Sequence, residues 1–258
     1  PEASRPGGSS RWSSGWTSTA DSLAVSFIGL GMEQLSGGKG TVNTQYLVLY
    51  LLIGTLVWRF LSSIFYWITD LISIERWEGT IEYTLMAPIQ RVTHMAGQTM
   101  FAVSYSIFFT GVILVITTLV FELDLSQSNL LGGTIVLLAG SFSFIGVGVM
   151  ASTLPLLFPE RGSQMTHVFI ALILLVSGVY YPVNVLPDVL QQIAVFSPAT
   201  YVLTGVRKAL LEGTSTLDLW GYIWPVLIMG ACLIPLGLWV FRQAETYAKR
   251  TGKLHRNG

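Results

Sequence analysis

Five stretches of the chain are apolar over the length, or nearly the length, that a helix needs to cross a bilayer: Tyr46 to Ile74, Met95 to Phe121, Leu130 to Phe158, Met165 to Tyr181 and Leu219 to Phe241. A hydrocarbon core about 30 Å thick takes roughly 20 such residues. In lipid every backbone N–H and C=O has to be bonded within its own segment, so the runs are read as helices and not as open strands. The fold class is therefore all-α, a polytopic transmembrane helical bundle. With 52% hydrophobic residues, 11% charged residues and a mean hydropathy of +0.61 over 258 residues, there is too little polar surface to cover a soluble globule. The fourth run is the shortest and meets Pro182. The last contains Pro225 and Pro235, which a membrane helix tolerates as kinks.

The same composition excludes several function classes. Fourteen basic residues balance fourteen acidic ones, so no net charge points to nucleic acid. Cys232 is the single cysteine and can form no internal disulfide. His94, His167 and His255 are scattered without carboxylate or thiol companions, so no metal site is expected, and no Ser/His/Asp or Cys/His set is indicated. The stretch EQLSGGKGT, Glu33 to Thr41, contains LSGG, which is like the signature loop of ABC-type ATPases. A phosphate-cradling loop would need a Gly where Glu33 stands and a hydroxyl where Gly40 stands. An apolar span begins a few residues after Thr41, so the stretch is read as a Gly-rich loop entering a membrane helix, and the chain as having no ATPase site of its own.

Lys and Arg near the span ends set the orientation. The tail 242–258 holds Arg242, Lys249, Arg250, Lys253 and Arg256 and is expected to be cytoplasmic. Alternate crossings then put Glu75 to His94 and Pro159 to Gln164 inside, and Glu122 to Asn129 and Pro182 to Asp218 outside. Arg207 and Lys208 run against this count. Residues 1–22 lack the zones of a signal peptide, and residues 1–45 are expected to be a disordered or atypical segment. Within them Ser22 to Leu35 is apolar but too short to cross alone, as the remnant of a first span would be.

Three segments attract attention within this frame. In Glu75 to Arg91, ERWEGTIEYTLMAPIQR, the acids Glu75, Glu78 and Glu82 share one helical face and Ile81, Leu85 and Met86 another, an amphipathic cytoplasmic element that Pro88 ends. By spacing alone it is either a docking element or an interfacial anchor. In Pro182 to Gly213, Pro187 should start a short helix with Leu190, Ile193 and Ala194 on its apolar side. Pro198 breaks that helix, Ala199 to Leu211 forms a second, and Gly213 caps it. The pair is either an interfacial hairpin or an outer re-entrant gate. Finally, Thr55, Arg59, Ser62 or Ser63, Tyr66 and Asp70 recur every three or four residues along the first run. Arg59 at mid-bilayer must face the bundle, a partner subunit or water, and it is either an interface contact or a pathway-lining residue.

Glu75, Arg76, Gly79, Thr80, Glu82, Leu85, Pro88 and Arg91 fit E-R-x-x-G-T-x-E-x-x-L-x-x-P-x-x-R. That pattern resembles the cytoplasmic loop of membrane subunits of the type-two ABC exporter family. Ser177 to Gly213 is similar to the outer region of that family, with Pro182, Leu186, Pro187, Pro198, Tyr201 and Arg207 in the matching places. The resemblance covers about Tyr46 to Phe241 and departs before it, where that family has an elbow helix and a complete first span. It implies a coupling helix, Glu75 to Arg91 with Glu78 on its acidic face, that docks in a cleft of a separate cytoplasmic ABC ATPase carrying ATP and magnesium. It also implies a second permease subunit, in a homo- or heterodimer, and export of drugs, lipids or glycan-lipids from the cell membrane.

The function expected is therefore a transport permease subunit with residues 46–241 as its transmembrane domain, no cofactor in this chain, and lipids and an ATPase as partners. A membrane scaffold that moves nothing is the rival from another class, and a membrane enzyme comes third.

Overall fold

The computed structural model describes residues 44–78, 91–121, 128–158 and 161–250. All regular structure among them is helical: α1 (Thr44–Glu78), α2 (Arg91–Phe121), α3 (Leu130–Ala151), α4 (Thr153–Leu157), α5 (Gly162–Ser177), a 3-10 turn at Val183–Val185, α6 (Asp188–Ala194), α7 (Pro198–Leu211) and α8 (Trp220–Arg250). Among the described residues, four spans are long and apolar enough to cross a membrane: Leu49–Glu75, Ala96–Ile116, Leu130–Leu157 and Trp220–Arg250. Helix α5 is apolar but only 16 residues long. The polytopic all-α bundle is thus as the apolar runs dictate.

Helix ends depart from the apolar runs wherever the chemistry of a stop differs from loss of hydrophobicity. The first run ends at Ile74, but no Gly or Pro comes until Gly79, and α1 continues through Glu75, Arg76 and Glu78. At 35 residues it is about 50 Å long, well beyond the hydrocarbon thickness. The last helix likewise does not stop at Phe241. It carries Arg242 and Lys249 in further turns to Arg250, with Lys249 paired to Glu245 at 2.8 Å one turn away. Conversely, α5 ends short of Tyr181 because Gly178 takes a left-handed conformation, φ 74°, which only glycine adopts without strain.

Helix α1 lies at the centre. Val57, Phe60, Leu61, Ile64 and Ile68, three and four apart, are buried against α3, α5 and α7. The most extensive packing joins α3 to α8, and small residues allow it. A Cβ on Gly146 would lie 2.7 Å from the Leu233 carbonyl carbon and 2.8 Å from Ile234 N, so the two backbones approach as only glycine permits. Helix α2 packs on α1 and leaves most of its circumference open, with Met100, Phe108 and Leu119 each at least 70% exposed.

The Pro187–Gly213 segment forms the expected pair. Pro187 is the N-cap of α6, Pro198 is the first residue of α7, the two helices bend by 81° and Gly213 has φ 62°. One detail differs: Ala194 is buried and Leu190 half-buried, but Ile193 is 50% exposed, so the inward face of α6 is narrower than its register suggested.

Candidate functional site

Helix α1 turns one side away from the core, and its polar residues collect there. Thr55 and Arg59 are exposed, Ser63, Tyr66 and Asp70 are half-buried, and Ser62 points inward, which selects Ser63 as the member of the stripe. The stripe is flanked on one side by α2, where Ser63 Oγ and Ser106 Oγ share a hydrogen bond of 2.6 Å. On the other it is flanked by α5: the Tyr66 ring lies 5.3 Å from that of His167, and Ser163 Oγ donates to Ser73 Oγ at 3.4 Å. Arg59 sits near the middle of the Leu49–Glu75 span, and its guanidinium lies 5.7 Å from the centre of the Phe109 ring. Asp70 is 11 residues away, about 16 Å along the axis, too far to pair with it.

Toward the other end of α1 a second basic residue has the opposite environment. Arg207 of α7 is buried. Its Nη1 donates to the Tyr50 hydroxyl at 2.9 Å and the Gly178 carbonyl at 2.8 Å. Nη2 donates to the Val179 carbonyl at 2.5 Å and more weakly to the Tyr50 carbonyl at 3.4 Å. The guanidinium also stacks 3.6 Å over the Tyr50 ring. Gly54 makes room for it, since a Cβ there would lie 2.4 Å from Val179 O and 2.5 Å from Arg207 Nη2. Arg207 therefore ties α7 to the N-terminal part of α1 and to the chain just past the C-terminus of α5, the negative end of that helix dipole. By sequence it counts as a loop charge. Buried on carbonyls, it does not belong in that count.

The residues around this clamp build an ordered turn. Pro182 caps the 3-10 turn, Leu186 is buried, and Gln191 Nε2 donates to the carbonyls of Leu186 at 2.7 Å and Asn184 at 3.2 Å. The Tyr181 hydroxyl donates to the Leu175 carbonyl. Pro198 is buried and Tyr201 half-buried. Ser128 Oγ donates to Leu210 O at 2.6 Å, and Asn129 Nδ2 reaches Thr214 O at 2.9 Å, so the start of α3 holds the end of α7. A cavity of about 350 Å³ opens between Tyr50, Asn184, Thr200, Thr204, Lys208 and Glu212.

Of the expected coupling element, Glu75 is buried, Glu78 is exposed at the end of α1, Arg76 lies between them in the same helix, and Arg91 opens α2. Gly79, Thr80, Glu82, Leu85 and Pro88 lie outside the described residues, as does the N-terminal segment up to residue 43. Glu75 thus belongs to the tucked end of a long helix, and the acidic face it was grouped with is not presented by it.

Two features are not anticipated from the sequence. Tyr50 and Gly54 form the receptor for Arg207. On α2, Phe101, Tyr105 and Phe109 recur at every fourth residue and stack at 6.1 and 5.7 Å, with Trp67 of α1 edge-on to the first two. The i, i+4, i+8 spacing was the available signal for this ladder.

Residues 10–211 match the family of ABC-2 type transporters. Over 98 residues, 38% of this chain, the sequence is 26% identical to the linearmycin resistance permease protein LnrN of Bacillus subtilis (strain 168). The matched stretch spans 25% of that relative's length.

Proposed function

Because the chain belongs to the ABC-2 type transporter family, and is thereby a multi-pass membrane subunit of a transporter, we propose that it is the permease of an ATP-driven exporter of a hydrophobic or amphiphilic molecule. A separate subunit hydrolyses the ATP. The observation that carries this reading is the polar face of α1: Arg59 stands exposed near mid-span beside α2, a placement that costs about 2.5–3.5 kcal/mol in lipid and is expected of a residue lining a pathway. A relative that is a permease named for linearmycin resistance is in keeping with outward movement of a drug-class molecule.

The mechanism rests on connectivity. The Glu75–Arg91 loop joins the end of α1 to the start of α2, so a partner ATPase that moves the loop, with Glu78 and Glu82 as its acidic contacts, moves both helices. Helix α1 packs on α3, α5 and α7, and Arg207 fixes its outer part to α7. Displacement at the cytoplasmic end of α1 then reaches the bent α6–α7 pair, which acts as the outer gate. A second permease copy would face the open side of α1.

The test is reconstitution with the cognate ATPase in vesicles. Glu82→Lys should abolish ATP-driven efflux of the amphiphile while membrane insertion and basal ATP turnover persist. Arg59→Gln should reduce substrate stimulation of the ATPase and leave basal turnover unchanged. A correctly assembled wild-type complex that moves no amphiphile under ATP would replace this reading with that of a scaffold.

A further inference from the structure

We infer that the cavity between α7 and the chain that follows α5 binds the head group of a primary-amine phospholipid, of the phosphatidylethanolamine type, with its phosphate on Lys208 and its ammonium on Glu212. The inference requires only that the chain spans a membrane, so it is independent of the export reading. The cavity reaches Tyr50, the second residue of the Leu49–Glu75 span, and so lies where hydrocarbon gives way to head groups. Its volume of about 350 Å³ is at the lower end of small-molecule pockets, enough for a head group whose chains stay outside. Lys208 and Glu212 both line it, one turn apart at the C-terminal end of α7 and about 6 Å along the axis. No ion pair joins the two among the described residues, and the Lys208 ammonium lies 5.3 Å from the centre of the Tyr222 ring.

Two opposite charges that share one cavity without pairing call for an occupant that carries both signs. An ammonium has three N–H donors, so Lys208 can keep its contact with Tyr222 and still hold a phosphate oxygen. The Asn184 amide lines the same cavity and can donate as well. Thr200 also lines it, and the Thr200 hydroxyl, shielded from solvent, has no partner within the protein. Glu212 stands at the negative end of the α7 dipole, where a cation is favoured, so the phosphate lies toward Thr200 and the amine toward Glu212. The amine should be primary, because a carboxylate holds it through charge-assisted N–H bonds. A quaternary ammonium has no N–H and is held by aromatic faces. Among the described lining residues the one ring is that of Tyr50, and Arg207 already covers a face of it at 3.6 Å. A phosphodiester without any amine would leave Glu212 beside a like charge.

The full chain in detergent micelles is titrated with phosphatidylethanolamine, phosphatidylcholine or phosphatidylglycerol of identical chains, and bound lipid is counted by native mass spectrometry. The first equivalent of phosphatidylethanolamine should bind roughly 10-fold or more tighter than either of the others, because only it makes both charge-assisted contacts. N-methylation should weaken binding stepwise, most steeply at the last methyl, which removes the last N–H. Glu212→Gln should bring phosphatidylethanolamine down to the level of phosphatidylcholine and leave phosphatidylcholine unchanged, which also reports an intact fold. Lys208→Gln should weaken phosphatidylethanolamine by about 10-fold. The exchange variant Lys208→Glu, Glu212→Lys keeps both charges and should recover part of the preference. Wild type that binds ethanolamine and choline lipids equally would overturn the proposal, as would a preference for phosphatidylglycerol or an ethanolamine preference that survives Glu212→Gln. Glycerophosphoethanolamine, the same head without chains, should compete only at roughly 100-fold or greater excess, since it lacks the apolar contacts of the chains. Displacement at equal concentration would overturn the assignment to a lipid in favour of a soluble ligand.

Discussion

Replacing Arg207 with Ala removes the guanidinium from a buried position where it holds the Gly178 and Val179 carbonyls and the Tyr50 hydroxyl, all within 2.9 Å, and a further carbonyl at 3.4 Å. Each charge-assisted hydrogen bond contributes about 1.5–3 kcal/mol net. The contributions do not add fully, and each buried carbonyl left without a donor costs about 1–3 kcal/mol. The loss falls on carbonyls that no helix bonds, because Gly178 has already turned the chain out of α5. We therefore expect Arg207→Ala, which leaves two such carbonyls, to destabilise by about 3–5 kcal/mol, a hundredfold or more in the unfolding equilibrium. Arg207→Lys should recover only part, since one ammonium cannot present two parallel donors to two successive carbonyls. The assay is unfolding by SDS titration in mixed micelles, followed by tryptophan fluorescence and extrapolated linearly. Gly54→Ala supplies a second perturbation of the same clamp, since the added methyl would meet both Val179 O and Arg207 Nη2. In combination with Arg207→Lys it should cost less than the sum of the two, as neighbours sharing one network do. A loss below about 1 kcal/mol for Arg207→Ala would mean that water reaches those carbonyls. The clamp would then be no part of what joins α7 to α1.

Gly146→Ala should cost about 1–3 kcal/mol by forcing α3 from α8, whereas Gly133→Ala, whose Cβ would make only ordinary contacts at 3.6 Å or more, should be near neutral in the same titration. Topology is checked in a Cys232→Ala background, needed because Cys232 is exposed on α8. Leu217→Cys, 87% exposed beyond α7, should react with an impermeant thiol reagent in intact cells and Gly252→Cys should not. Labelling at Gly252→Cys alone would invert the orientation.

Composition and the lengths of the apolar runs were enough to establish a membrane bundle, because the bilayer imposes one length and one way of satisfying the backbone. The breaks at Pro187 and Pro198 and the stop at Gly213 were legible for a similar reason: proline and glycine act on their own backbone, and no distant residue is needed to read them. The helix ends at Glu78 and Arg250 were not, since a helix that leaves the membrane need not stop where its hydrophobicity does. The polar stripe on α1 was visible as a period. Whether Ser62 or Ser63 belonged to it depended on where α2 and α5 pack. By sequence Arg59 reads as a mid-span charge and Arg207 as a loop charge, and only the tertiary structure shows which of them is buried. One is left open at mid-span beside a ring. The other closes on carbonyls exposed by a chain reversal nearly 30 residues earlier and on a tyrosine 157 residues away. Backbone carbonyls have no letter in the sequence, and the geometry that aims them at a side chain exists only once the helices have packed.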